Sequence, residues 1–251
     1  MIKSDWYKKI WTLEAKKYSW VETTEGDVDF IIKALGLTGK ERILDLACGF
    51  GRHSLSLARR GFSVTGVDIT KEFIEDAKKE AKSNSLEVQF ILADIRELDY
   101  KNEFDVVINI SDGAIGYLEN DEENLKIFDV IANSLRAGGK HLMEICSAEH
   151  AAKYLPKQSW YIGSNAVSLA EFIWDAKSRR MISKGYGITY GEIAQKPEPT
   201  DETSVQLYSK DELEKILQQR HMKIIGTYAD YQGNEATDKQ MRTIVCSEKY
   251  I

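Results

Sequence analysis

The sequence predicts an α/β fold built on a mostly parallel β-sheet, and three features of the residue pattern support this. Between residues 42 and 146, short apolar runs alternate with segments of helical periodicity. Glycines follow several of the helical segments, as is usual at helix ends. After residue 146 the alternation stops, and it resumes near residue 209. Strands separated by helices of this length imply right-handed crossovers and a parallel sheet.

The chain has 251 residues, 43% hydrophobic and 29% charged, which is typical of one globular domain. No stretch approaches the roughly 20 apolar residues that cross a bilayer, and the N-terminus lacks the apolar run of a signal peptide. We therefore expect a cytoplasmic protein without a membrane contact. Cys48, Cys146 and Cys246 lie far apart in apolar runs, so we interpret them as buried residues and expect neither disulfides nor a metal site.

The elements are predicted in chain order. Residues 1–40 are rich in aromatic side chains and are predicted to form an N-terminal helical cap, with a helix over 27–35 that ends at Gly36. Strands are predicted over 42–48, 63–69, 87–94, 104–110 and 140–146. Helices are predicted between them over 52–60, 71–83 and 121–136.

Residues 147–204 break this rhythm and are predicted to form an antiparallel insertion that acts as a substrate lid or a dimer element. Extended runs are expected over 167–175 and 180–192, and a loop over 195–203. The main domain, 41–146 and 205–251, resumes with a helix over 210–220, where Ser209 and Glu212 match a capping box. Strands over 223–230 and 242–248 complete it as an antiparallel hairpin.

The predicted nucleotide site lies where the first strand meets the first crossover helix. Gly49 and Gly51 allow a tight turn and a close approach of the backbone to a ligand, beside the positive end of a helix. Asp68 and Asp94 end the next two strands, and Asp45 stands just before the turn. Ligands of open α/β sheets bind at the carboxyl ends of the strands, so these three acids are expected at one binding edge.

Charge decides which nucleotide the turn favours. A dinucleotide fingerprint has a glycine or alanine where this chain has Ser54, and the Asp45 carboxylate would repel a pyrophosphate. The same carboxylate would attract the α-ammonium and sulfonium groups of S-adenosylmethionine. The residues therefore favour that cofactor over a nicotinamide dinucleotide.

These motifs together resemble those of class I S-adenosylmethionine-dependent methyltransferases, and within the class a bacterial small-molecule-type group. The resemblance covers roughly residues 40 to 250 and rests on the following motifs: Asp45-x-Ala-x-Gly49-x-Gly51, Asp68, Ala-Asp94-Ile, Phe-Asp105-Val-Val-Ile-Asn109, Leu-Arg-Ala-Gly138-Gly139-Lys and Leu207-Tyr-Ser-Lys-Asp-Glu-Leu. Ala47 departs from the pattern, because the class usually has glycine there. The resemblance implies a Rossmann-like, seven-stranded, mostly parallel sheet and S-adenosylmethionine as cofactor.

The resemblance also implies a role for each matching residue. The methionine moiety would meet the Asp45 carboxylate, the backbone at Ala47, Gly49 and Gly51, and the side chain of Arg52; for Arg52 a surface position at the helix start is an equal alternative. The ribose hydroxyls would meet Asp68, and the adenine would meet Ile69, Asp94 and the backbone of Ile95. Asn109 and Ile110 would lie near the transferring methyl. Apart from the resemblance, the aromatic N-terminal segment is a candidate lid in which Tyr18 or Trp20 closes over the cofactor, with packing over the sheet edge as the alternative for most of its aromatic residues.

Methyl transfer is an in-line displacement, for which alignment and exclusion of water suffice, so no catalytic residue is assigned. Asp112, Glu144 and His150 lie near strand ends, and an ordinary solvated or hydrogen-bonded role is favoured for each. Four aromatic residues are candidates for lining a substrate pocket, with ordinary packing as the alternative. Because aromatic rings attract cations, such a pocket would suit an amine acceptor. These candidates for a substrate pocket are Tyr117, Trp160, Trp174 and Tyr186.

The expected function is methylation of a small molecule at nitrogen, oxygen or carbon by a monomer or homodimer. The net charge of −6, without a dense block of Lys and Arg, disfavours a nucleic-acid partner. The alternatives are an RNA or protein methyltransferase, and a non-catalytic module that binds S-adenosylmethionine. The sequence leaves the last alternative open, because catalysis by alignment requires no particular side chain.

Overall fold

The computed structural model describes residues 5–17, 19–162, 166–191, 198–199 and 201–251. Tyr18, predicted to close over the cofactor, lies outside the described residues. Among the helices of the described ranges, none has the length and apolar character that a membrane span requires.

The described part of the chain contains six α-helices and eleven β-strands. The helices are α1 (Thr24–Leu35), α2 (Arg52–Arg59), α3 (Lys71–Ser83), α4 (Asp121–Ser134), α5 (Ala148–Tyr154) and α6 (Lys210–Gln218). The strands are β1 (Arg42–Leu46), β2 (Ser63–Asp68), β3 (Val88–Leu92), β4 (Phe104–Asn109), β5 (Leu135–Cys146), β6 (Lys157–Ile162), β7 (Ala166–Asp175), β8 (Arg180–Thr189), β9 (Asp201–Gln206), β10 (Met222–Tyr228) and β11 (Arg242–Lys249).

Seven strands form the central sheet in the order β10-β11-β5-β4-β1-β2-β3. β1 to β5 pair in parallel, while β11 runs antiparallel to both β5 and β10. The predicted parallel sheet closed by an antiparallel hairpin is therefore confirmed. The start of β11 consequently lies at the same edge as the carboxyl ends of the parallel strands.

The two faces of the sheet pack against different helices, as alternating side chains in a strand require. Ile43 of β1 belongs to an apolar cluster with Ile31 of α1, whereas Leu44 faces the cluster that contains Phe128 of α4. All four side chains are fully buried. Covering both faces leaves the strand ends as the place where a ligand can enter.

The insertion forms a separate four-stranded sheet in the order β6-β7-β8-β9, and each neighbouring pair is antiparallel. The predicted antiparallel insertion is confirmed, but two of its elements, α5 and β6, were not predicted. The loop predicted over 195–203 is wrong at its end, because β9 begins at Asp201. Pairing with β8 places Val205 opposite Met181, and both are buried, which favours an extended strand there.

Other boundaries also differ from the predictions. α4 ends at Ser134 and not at residue 136, since Leu135 is extended, fully buried and paired with Phe104. The N-terminal segment holds three short 3-10 turns before α1. The capping box at α6 is confirmed: the Glu212 N–H donates to Ser209 Oγ at 3.2 Å, and the Ser209 N–H donates to Glu212 Oε2 at 2.8 Å.

Candidate functional site

A cavity of about 450 Å³ opens at the carboxyl edge of the central sheet, within the usual range for small-molecule sites. Its floor is built from the ends of β1, β2, β4 and β5 and from the start of β11, and aromatic residues of the N-terminal segment, among them Trp11 and Trp20, line it from above. The site predicted from the strand ends therefore coincides with a real cavity.

Asp45 lies at the floor of this cavity and is almost fully buried. Ser54 on α2 donates a hydrogen bond to its carboxylate, with an Oγ–Oδ2 distance of 2.6 Å. Burial raises the pKa of Asp45 to about 7, although the Ser54 hydrogen bond and the Arg52 charge act in the opposite direction. Ser54 therefore supports the carboxylate, which explains a serine at this place.

The turn after β1 approaches the cavity with its backbone. Ala47 and Gly49 both adopt left-handed conformations, with φ of 56° and 58°, and both line the cavity. Gly51, also left-handed, does not line it: a Cβ there would lie 2.7 Å from the Phe90 ring. Packing against β3 and the left-handed backbone therefore both require glycine at position 51. The methyltransferase class usually has glycine at the position of Ala47, and the left-handed backbone there is strained for alanine.

Asp68 lines the cavity from the end of β2 and is held by two backbone groups. Its Oδ2 accepts from the Gly49 N–H and its Oδ1 from the Thr70 N–H, both at 2.8 Å. Burial raises the pKa of this carboxyl. Ile69, next in the chain, also lines the cavity and is partly exposed, as a side chain beside a ligand would be.

Asp94 and Ile95 are placed differently from the prediction. The Asp94 carboxylate caps the 3-10 turn Ile95–Glu97 and forms an ion pair with Arg96 at 2.6 Å. Hydrogen bonds from Arg96 lower its pKa against the effect of burial. Neither Asp94 nor the buried side chain of Ile95 lines the cavity. The carboxylate is thus engaged within the protein, and its predicted contact with the adenine stays a prediction.

The segment after β4 combines a predicted cavity residue with a structural one. Ile110 lines the cavity, whereas Asn109 is fully buried beneath it and donates from Nδ2 to the Gly113 carbonyl at 3.0 Å. Four consecutive residues, 111 to 114, have positive φ, and three of them are not glycine. Such a left-handed turn stores strain of the kind that is concentrated at functional sites.

Arg52 is not a surface residue. Its guanidinium pairs with Asp27 of α1 at 3.0 Å, donates to Thr24 Oγ1 at 2.8 Å and lies over the Trp20 ring. Asp27 also faces His53 Nε2 at 3.4 Å, and burial lowers the His53 pKa to about 4. Asp27 was not predicted as a site residue, because an acid in the first turn of a helix is an ordinary sequence feature.

The far end of the cavity holds a second charged group. Arg242, the first residue of β11, pairs with Asp112 at 3.0 Å, and Tyr117 donates to the same carboxylate at 3.2 Å. Glu144 of β5 and Tyr231, which follows β10, complete this end. Arg242 and Tyr231 were missed by the sequence reasoning. The feature that could have identified them is their place in the loop and at the start of the second strand of the predicted hairpin, because that strand starts at the binding edge.

Of the predicted acceptor residues, the structure brings only Tyr117 to the cavity. Trp160 on β6 is 70% exposed, and Trp174 and Tyr186 lie in the insertion sheet away from the cavity lining. His150 is also distant and faces the Asp238 carbonyl at 3.1 Å from Nδ1. Within the described ranges the three cysteines are free and buried, and no cluster of three metal-binding side chains occurs.

Comparisons with known proteins agree with this geometry. A curated putative methyltransferase of Bacillus subtilis, YqeM, is 31% identical over 141 residues, which is 56% of this chain and 55% of the relative. A ubiquinone biosynthesis O-methyltransferase of Alkalilimnicola ehrlichii is 27% identical over 71% of this chain and 76% of its own length. The chain thus spans little more than half the length of the first of these relatives.

The fold is also found in solved structures. An S-adenosylmethionine-dependent methyltransferase from Clostridium acetobutylicum superposes with a TM-score of 0.75 at 20% identity, covering 91% of this chain and 92% of its own. A family model described as a methyltransferase domain matches residues 37–220. The chain therefore belongs to the methyltransferase domain family, whose class I members use S-adenosylmethionine as cofactor.

Proposed function

We propose that this chain is an S-adenosylmethionine-dependent methyltransferase that acts on a small molecule. The observation that carries the proposal is one continuous cavity that joins Asp45 and Asp68, at the ends of β1 and β2, to a second polar group at the ends of β4 and β5. A donor and an acceptor can therefore share it. The name of the related ubiquinone biosynthesis O-methyltransferase also indicates a small acceptor.

The residues at the β1–β2 end fit S-adenosylmethionine. Asp45 is buried, and Ser54 and not a cation supports it, so a cationic ligand group would complete its environment. Asp68 presents a carboxylate whose two oxygens already accept backbone hydrogens and retain further lone pairs for ribose hydroxyls. Ala47 and Gly49 would bring backbone groups to the methionine moiety.

When bound, the cofactor supplies an electrophilic methyl group on a sulfonium. The protein contributes binding, alignment and exclusion of water. Trp11 and Trp20 line the cavity from the N-terminal segment, and Ile110 presents an apolar surface between its two ends. Arg52 of α2 donates to the Trp20 carbonyl at 3.3 Å and lies over the Trp20 ring, which ties this covering segment to α2.

Calorimetric titration with S-adenosylmethionine, its demethylated product and NAD tests the proposal. We expect the first two to bind and NAD not to bind; binding of NAD alone would refute it. Asp68→Ala should weaken S-adenosylmethionine binding by about 1–3 kcal/mol, because buried hydrogen bonds are lost. Asp129→Ala, an exposed acid on α4, is the matched control. Thermal unfolding of both variants shows how far the loss of the hydrogen bond from the Gly49 N–H to Asp68 lowers the stability of the whole protein.

A methyl-transfer screen over small metabolites, with bulk RNA and protein as further acceptors, separates the proposal from its alternatives. Transfer only to RNA or protein would replace the small-molecule acceptor, and binding without transfer to any acceptor would favour a non-catalytic module. The predicted cytoplasmic location, the monomeric or dimeric state and the role of 147–204 as lid or dimer element remain predictions.

A further inference from the structure

The far end of the cavity is separated from the predicted cofactor residues by the end of β4. Glu144 lies on β5 opposite Ile244 of β11, and Arg242 lies opposite Cys146. The strand order places β5 and β11 on one side of β4, and β1 and β2 on the other. A molecule beside Glu144 would therefore approach the cofactor end from the acceptor side.

Carboxylates exceed cations in the described lining of this cavity. Five acids, Asp27, Asp45, Asp68, Asp112 and Glu144, line it together with two arginines, Arg52 and Arg242. Arg52 pairs with Asp27 and Arg242 with Asp112, each at 3.0 Å. Asp45 and Asp68 belong to the cofactor end, so Glu144 is the acid at the far end with the longest arginine contact, 4.0 Å to Arg242 Nη1.

Glu144 has capacity for another partner. Its Oε2 accepts from the Ser111 N–H at 3.0 Å and lies 4.0 Å from Arg242 Nη1. Among the described residues, none donates a hydrogen bond to Oε1. Burial raises the pKa of Glu144, with Asp112 and Asp27 adding to the effect and Arg242 opposing it. A cation placed here would offset that burial.

Tyr231 gives an independent sign of a missing ligand. Tyr231 lines the cavity, and its buried hydroxyl has no hydrogen-bond partner among the described residues. Its ring packs edge-on against Phe30 of α1. Buried hydroxyl groups are nearly always hydrogen-bonded, so an unpaired one in a cavity indicates a partner supplied from outside.

We propose that this end of the cavity binds the methyl acceptor through an amine, and that Glu144 takes the proton that the amine must lose. An ammonium and an alcohol can each hydrogen-bond Glu144 and Tyr231, but only the ammonium brings the positive charge that offsets the buried Glu144 carboxylate. The excess of carboxylates favours a cation over a neutral group. The inference rests on the proposed function, since it names the acceptor class of the same site.

The proton balance of the step is simple. The bound ammonium gives one proton to the Glu144 carboxylate, and the neutral amine attacks the methyl group with its freed lone pair. The carbon–nitrogen bond forms as the carbon–sulfur bond breaks, and the sulfur keeps that electron pair. The methylated nitrogen then carries the positive charge, and the Glu144 proton leaves to solvent, so one proton is released per turnover.

Binding of two matched probes, benzylamine and benzyl alcohol, tests this inference without turnover. Dissociation constants are measured by ligand-observed NMR near neutral pH, with the cofactor end saturated by S-adenosylhomocysteine. We expect wild-type protein to bind the amine roughly tenfold more tightly than the alcohol. Glu144→Gln should bring the two constants together, and Tyr231→Phe should weaken amine binding a few-fold. Glu122→Gln, an exposed acid on α4, should leave the ratio unchanged.

Equal binding of amine and alcohol by wild-type protein, or an amine preference that survives Glu144→Gln, would overturn the inference. If Glu144→Gln does not fold, the wild-type ratio and Tyr231→Phe decide. The S-adenosylhomocysteine titration separates the two levels of the argument. Its binding without an amine preference refutes the acceptor class alone, and its failure to bind refutes the proposed function.

Discussion

Replacing Asp45 with asparagine should make the ligand-free protein more stable while weakening cofactor binding. Asparagine has nearly the same shape and can still accept the Ser54 hydrogen bond, but it cannot ionise. The buried Asp45 carboxyl has a pKa of about 7, against an ordinary value of 3.8. In the ligand-free protein the charged form of Asp45 therefore lowers the free energy of unfolding.

The magnitude follows from proton linkage. Between these two pKa values the folded state holds a proton at Asp45 that the unfolded state has released, so the free energy of unfolding falls as pH rises. From pH 5 to pH 7 the loss amounts to about 2 kcal/mol, and above about pH 8 it levels off. Asp45→Asn has no such titration, so the excess of its free energy of unfolding over that of wild type should grow by about that amount between pH 5 and pH 7.

Urea denaturation of both proteins at pH 5, 6, 7 and 8 measures the difference. Asp99→Asn, which removes an exposed acid, controls for the change in net charge. Calorimetry should show weaker S-adenosylmethionine binding by Asp45→Asn near neutral pH, because the cationic methionine moiety loses its carboxylate. A stability difference that is independent of pH, or unchanged cofactor affinity, would refute the reasoning.

Two further predictions concern the cavity walls. Gly113→Ala should destabilise the protein by about 2–5 kcal/mol in denaturation, because a Cβ there would lie 2.5 Å from the Asn109 Cβ at a φ of 51°. Gly138→Ala, with a φ of 74° and open space around it, should cost only about 1–2 kcal/mol, and equal losses would contradict the steric argument. NMR titration should place the His53 pKa near 4, and a midpoint above 6 would contradict this. Because the unfolded chain takes up a proton at His53 near pH 6.5 and the folded protein does not, the free energy of unfolding should fall as the pH drops from 6.5 towards 4.

The sequence could predict that Asp45 and Asp68 meet at one edge of the sheet, because the signals for this are local. Asp45 and Asp68 end strands whose apolar runs are visible in the chain, and parallel strands bring their ends to one edge. The glycine turn is likewise a short-range feature. Ser54 was read only as a departure from a dinucleotide fingerprint, and its hydrogen bond to Asp45 became visible when α2 was placed against β1.

Partner choice between distant residues could not be predicted in the same way. Asp94 ends its strand as expected, but Arg96 and the turn at Ile95–Glu97 hold its carboxylate away from the cavity. Trp160 looked suited to a substrate pocket, yet the register of β6 against β7 leaves it at the surface. The presence of an aromatic residue does not predict which face of the insertion sheet meets the cavity.

The sequence by itself determined the α/β order, the antiparallel insertion and the acids at the β1–β2 end, since these follow from periodicity and from residues near each other in the chain. The tertiary structure decided how the proposed acceptor end is assembled. Glu144, Tyr231 and Arg242 come from β5, the turn after β10 and the start of β11, and meet there because β11 runs antiparallel. The hairpin itself was predicted, but the register of β11 against β5, which decides the side chains that face one another there, depends on the packing of the whole sheet.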